Sequence, residues 1–229
     1  MNDREIDELL GRAADIHEVD PALLRSVSSS IGASLQPVRP MPPAWMLALA
    51  LVSISAGIAF AAAWLMGFYG IRKLDGTEIV AIFSVLAILL WLVATVSVAE
   101  ITPGSRRWID PARLLLIVMI GWLAVDAVLF RDYDMSSFMT QGWPCLRAGL
   151  TVAIPTGAAS WLALRRGFAV DPASAGLAAG TLAGMAGLAM LELHCPNFRA
   201  AHIMVWHTAV VPVSAVVGSL LAGITKQRS

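Results

Sequence analysis

The residues with chemistry to offer are few, and most lie in the second half of the chain. Cys145 sits in Gly142-Trp143-Pro144-Cys145-Leu146-Arg147-Ala148-Gly149, and Cys195 in Glu192-Leu193-His194-Cys195-Pro196. His202 and His207 follow Cys195, and Asp126 precedes the whole set. Two cysteines can form a disulfide, share a metal ion or stay as reactive thiols. His194, when protonated beside Cys195, favours the thiolate. A Cys/His set suits zinc or copper. The spacing speaks against one shared ion, because Cys145 and Cys195 stand fifty positions apart and His202 and His207 five. Five steps of an α-helix turn about 140°, so a regular helix cannot aim both rings at one ion without distortion. Asp126 and Glu192 are carboxylates in or at the edge of apolar runs, where such groups are functional by default; both fall within about two turns of a run end, where water reaches, and partnership with Arg147 or Arg199 is at least as strong an expectation. His207 lies deeper in its run and suits a hydrogen bond between helices.

These side chains are carried by a chain unlike a soluble domain. Of 229 residues, 58% are hydrophobic and only 14% charged, against roughly a quarter charged in ordinary globular proteins. Six apolar runs are visible, at about 44–67, 79–99, 114–130, 148–164, 173–191 and 203–224. About 20 apolar residues cross a hydrocarbon core as a helix. Period-two alternation is absent, which excludes a β-barrel. Turn formers separate the runs: Leu74-Asp75-Gly76, Thr102-Pro103-Gly104, Asp110-Pro111 and Asp171-Pro172. The expected fold is all-α, a polytopic membrane protein of six transmembrane helices with a short N-terminal cytoplasmic helical tail. The expected organisation is a tail and Pro-rich linker over 1–43, a membrane domain over 44–224 and a C-terminal tail over 225–229.

Direction follows from the Lys and Arg residues. With the N-terminus inside, inner segments hold eleven of them and outer loops five. That bias predicts both termini in the cytoplasm. The first forty residues carry seven acids and four arginines and do not read as a secretory signal. Both cysteines then face the outside, a compartment that permits disulfides in bacteria. Trp45, Trp64, Trp143 and Trp161 lie near run ends, where interfacial rings are expected.

The tail has its own pattern. Ile6, Leu9, Leu10, Ala13 and Ile16 recur at helical spacing, and Asp20-Pro21 reads as a helix start. Leu23, Leu24, Val27 and Ile31 mark a second stripe, and Pro37, Pro40, Pro42 and Pro43 a stiff connector. Two short amphipathic helices bury little by themselves. Their acidic character disfavours anionic lipid, so a protein partner is the better account, with Ile6, Leu9, Leu10, Leu23, Leu24 and Val27 as anchors.

Gly176, Gly180 and Gly184 recur every fourth residue, a face for close helix contact. Pro155 and Pro212 fall inside apolar runs and are expected to kink them. No catalytic triad, phosphate loop or His-Glu-x-x-His occurs. The balance of sixteen basic and sixteen acidic residues argues against direct nucleic-acid binding.

Taken together, the motif around Cys145, Leu164-Arg165-Arg166-Gly167-Phe168-Ala169-Val170-Asp171-Pro172, the glycine-rich run, His194-Cys195-Pro196 and Val205-Trp206-His207 resemble the NrsF family of bacterial inner-membrane anti-sigma factors. The resemblance is strongest over 140–224. It implies that the cytoplasmic tail holds an extracytoplasmic-function sigma factor at the membrane. It also implies that Cys145 and Cys195 sense an envelope, redox or metal stress, with His194, His202, His207, Asp126 and Glu192 as supporting polar groups. No enzymatic activity and no cofactor are expected. The competing classes are a membrane thiol oxidoreductase, which would need a second reactive pair or a quinone site, and a small-molecule or metal transporter, which would need polar residues at mid-membrane.

Overall fold

In the computed structural model, the described residues are 5, 8, 21–34, 42–102, 104, 105, 108–164, 169 and 171–226. Two compact units divide the chain, Met1–Met41 and Pro42–Ser229. In the first, helix α1 spans Pro21–Ser34. It begins at the expected proline, whose fixed φ suits a first helical position. Leu24 and Val27 are exposed, 55% and 47%. Ile6, Leu9 and Leu10 lie outside the described residues, as does the side chain of Leu23.

The second unit is a helical bundle. Its elements are α2 Ala44–Met66, α3 Gly76–Ile101, α4 Pro111–Leu129, α5 Phe138–Leu164 and α6 Pro172–His194. The last helix, α7, starts as Ala200–His202, passes through a π-helical segment Ile203–His207 and continues as Thr208–Lys226. No strand occurs among the described residues.

The turn residues read from the sequence set the helix starts. Asp75 and Glu78 form a reciprocal capping box on α3. Asp110 accepts from two backbone amides at the start of α4, and Asp171 from Ala173 N at the start of α6. A proline follows each of those two aspartates. Gly67, at φ +100°, ends α2 in a conformation that side chains other than glycine's disfavour.

Helix α6 is the centre. Of its apolar window 83% is buried, against 22–44% for the other apolar helices, and it touches all five other helices of the unit. Eleven of its 23 residues are Ala or Gly. In a bilayer, which offers no hydrophobic drive for helix association, close packing of small residues would have to supply it. A methyl group on Gly184 would stand 2.6 Å from Val211 Cα. Methyl groups on Gly176 and Gly180 would collide with the backbone carbonyls of Gly218 and Ser214, and one on Gly187 with that of Gly149. The expected glycine face is thus the contact of α6 with α7, extended by Gly187 to α5.

Five helices are long and apolar enough to cross a membrane: α2, α3, α4, α6 and α7 over Ala200–Ile224. Helix α5 has 27 residues, but Arg147, Thr151, Pro155, Thr156, Gly157 and Ser160 dilute its apolar character. It also starts ten residues before the expected run, so Cys145 belongs to a helix and not to a loop. Pro144, Pro155 and Pro212 all lie inside continuous helix. Trp45, Trp64, Trp143 and Trp161 are exposed, as interfacial rings should be.

Candidate functional site

The ends of five helices meet around Cys195. Backbone hydrogen bonds lock the end of α2 to the end of α6, from Gly70 N and Ile71 N to Leu193 O, at 3.1 and 3.2 Å. Gly70 has no room for a side chain there, because a methyl group would stand 2.7 Å from Glu192 O. The segment after α4 is tied to the start of α7 by Ala200 N donating to Asp132 O at 2.7 Å. Phe130 stacks on Phe198, their rings 5.3 Å apart. Helix α5 leans on α7 through Gly142, whose lack of a side chain admits the indole of Trp206.

Inside this junction the two cysteines are neighbours. Their sulfurs are 3.3 Å apart, and both are free thiols. Cys195 is buried and Cys145 half-buried. His202 Nε2 lies 3.5 Å from the Cys195 sulfur. The rings of His202 and His207 meet edge to face, with centroids 5.2 Å apart. One donor atom from each of Cys145, Cys195, His202 and His207 falls within 4.8 Å of every other.

The expectation that five residues separate the two histidines in direction is corrected by the backbone. Thr208 N donates to Ile203 O, five residues back, and marks the π segment Ile203–His207. A bond to the fifth preceding residue widens the turn, so residues five apart come onto one face. The sequence spacing was right, and the assumed helix type was wrong.

Behind the cluster lies a buried acid–base pair. His207 Nδ1 and Glu192 Oε1 are 2.8 Å apart, and both side chains have 0% exposure. This is the expected hydrogen bond of His207 between helices, joining α7 to α6. Asp126, also 0% exposed, lies within electrostatic reach of Glu192 and His207. Neither Asp126 oxygen has a hydrogen-bond partner among the described residues. The expectation of water-reached carboxylates paired to Arg147 or Arg199 is therefore overturned for both. Arg199 pairs instead with Asp134 at 2.9 Å and Asp132 at 3.7 Å, and donates to Ser136 and Ser137. Hydrogen bonds from Ser136, with Arg199 nearby, hold the Asp134 carboxyl below its ordinary range. An arginine at the surface binds the loop carboxylates first, because reaching Glu192 would require burying its own charge.

His194 does not join the cluster. Its Nδ1 meets Gly67 O at 2.8 Å, and its ring packs edge-on to Tyr69. The histidine that serves Cys195 is thus His202, seven residues on, and not its neighbour in sequence. The donor set of the cluster, two thiols and two imidazoles, is of the kind that ligates zinc or copper.

No curated protein matches the chain, and no solved structure does. The family described as NrsF, negative regulator of sigma F, matches residues 32–225. The match takes in all of the bundle but the last residue of α7 and every member of the cysteine–histidine cluster, while most of α1 and the residues before it precede it. With most of its 229 residues inside that match, the chain belongs to the NrsF family, negative regulators of sigma F.

Proposed function

We propose that this protein is a non-enzymatic, membrane-bound anti-sigma factor. Residues 1–43 hold an extracytoplasmic-function sigma factor on the cytoplasmic side of a bacterial inner membrane, and a change at the cysteine cluster on the outer side releases it. The observation that carries this reading is the family match over residues 32–225. Support for the membrane comes from the five apolar helices, with α5 proposed as the sixth span. Support for the direction comes from the eleven-to-five division of Lys and Arg. An even number of spans puts both termini on one side, as that division asks. Support for the tail comes from α1, whose Leu24 and Val27 stand exposed. An apolar helical stripe is what a groove on a partner protein recognises. For the sensor, the two thiols are adjacent and bridge α5 to the end of α6.

The test is co-purification. The intact protein, extracted from its own membranes in mild detergent, should bring down an extracytoplasmic-function sigma factor. Leu24→Asp combined with Val27→Asp should abolish that capture with membrane insertion unchanged. Capture retained by the double variant would remove α1 from the mechanism. No sigma factor with the unaltered chain would remove the anti-sigma reading itself.

A further inference from the structure

The buried cluster has more order than a pair of sensing thiols needs. We infer that Cys145, Cys195, His202 and His207 are the four ligands of one divalent metal ion of the zinc class, with Glu192 orienting His207 from behind. Four independent features of the site support this.

The first is distance. Zinc–sulfur bonds of about 2.3 Å and zinc–nitrogen bonds of about 2.0–2.1 Å place neighbouring donors of a tetrahedron roughly 3.3–3.8 Å apart. The sulfur of Cys195 is 3.5 Å from His202 Nε2, the spacing of a bound sulfur–nitrogen pair, and the two sulfurs, at 3.3 Å, would part by about 0.5 Å to reach the separation of two zinc-bound thiolates. No pair of the four exceeds 4.8 Å, so the widest needs to close by at most about 1.5 Å to bind.

The second is the carboxylate. A ligating histidine nearly always donates its other ring N–H to an outer acceptor, which fixes tautomer and ring direction. Glu192 occupies that place on His207 Nδ1. The remaining nitrogen, Nε2, is buried and makes no hydrogen bond of ordinary geometry among the described residues, though it lies near the Cys195 sulfur. A buried donor or acceptor left without a partner is costly, and a metal bond would answer it. The third is the π segment, a rare distortion that recurs at functional sites and here puts two ligands on one face. The fourth is closure. Cys195, His202 and His207 are at most 3% exposed, and structural zinc sites are closed sites with four protein ligands.

Charge and protons balance. Two thiols lose two protons to solvent as a divalent ion binds two thiolates and two neutral imidazoles, so the ion and its ligands are together uncharged. A neutral set is what a water-poor junction tolerates. The ion would tie α5, α6 and α7 at one end of the bundle.

The site can be tested on the detergent-purified full chain without any sigma factor, so its failure and that of the anti-sigma reading are separable. Metal analysis after expression in zinc-supplemented medium should give one zinc per chain. Exchange for cobalt should give the visible bands of a tetrahedral ion and a near-ultraviolet thiolate-to-cobalt band. Cys145→Ser with Cys195→Ser should lose both signals. Glu192→Gln should keep the cobalt spectrum while weakening zinc about 10–100-fold against a chromophoric chelator, the usual effect of an outer-shell change. In the unaltered chain, both thiols should resist alkylation until a chelator is added, a measurement that needs no variant to fold. The inference is overturned by a purified chain with two reduced thiols that takes up neither zinc nor cobalt. It is equally overturned by a chain isolated with a Cys145–Cys195 disulfide and no metal. Full zinc content in a His202→Ala, His207→Ala double variant would overturn the Cys2His2 ligand set.

Discussion

At the scale of residues, the decisive change from sequence to structure is who meets whom. Cys145 and Cys195, fifty positions apart, touch, and Glu192 finds His207 rather than an arginine. A buried carboxylate needs a partner that is itself buried, because drawing a solvated guanidinium inward forfeits its hydration. The contact of the sulfurs carries a prediction about signalling. If they form one unit, Cys145→Ser, Cys195→Ser and the double variant should shift sigma-dependent transcription to the same extent. A reporter gene in cells carrying each variant measures this. Residues in one interaction couple, whereas independent sites add, so a double variant equal to the sum of the singles would make them two separate thiols.

At the scale of elements, α6 shows what a helix of small residues is for. Gly180 has no space for a methyl group against the Ser214 carbonyl, whereas at Gly57 on α2 nothing lies within 4 Å. Gly180→Ala should destabilise the protein by about 1–3 kcal/mol, the usual effect of overfilling a packed contact. Gly57→Ala should be neutral or stabilise by up to about 1 kcal/mol, since alanine is the better helix former. Thermal unfolding of both variants in the same detergent measures the difference, and an equal response would mean that α6 and α7 are not so tightly packed. The spacing of the α6 glycines was legible from the sequence because small-xxx-small has a fixed period. The π segment was not. Its i, i+5 histidine pair could have suggested it, but that spacing alone does not choose the wider turn over the regular one.

At the scale of the whole molecule, the proposed direction in the membrane can be measured directly. Met135 lies on an exposed stretch beside the cluster end of the bundle, and Ser28 on α1 in the tail. In a background without Cys145 and Cys195, Met135→Cys should react with a membrane-impermeant thiol reagent in cells whose outer membrane has been opened. Ser28→Cys should react only after the inner membrane is breached. The reverse pattern would invert the topology and place the cysteine cluster inside. Either way the bundle brings the ends of α2, α4 and α6 together with the starts of α5 and α7, so a change at the cluster reaches five helices at once. Transmission to the tail then requires two packings of the bundle with different affinity for the partner.

What the sequence by itself determined is what depends on local chemistry. Apolar runs of spanning length read as helices, since in a bilayer no other open backbone would be satisfied. Asp75, Asp110 and Asp171 had to start them, because a carboxylate beside free amides caps a helix wherever it occurs. The amphipathic start at Pro21 followed from its own dihedral restriction. Only the tertiary structure decided which run became the core, where α5 began, that Asp126 and Glu192 are dry, and that His202 rather than His194 serves Cys195. Those outcomes depend on contacts between residues far apart in the chain. Burial, and with it the partners a polar group must find, is a property of how the helices pack against one another, and no single helix carries that information in its own sequence.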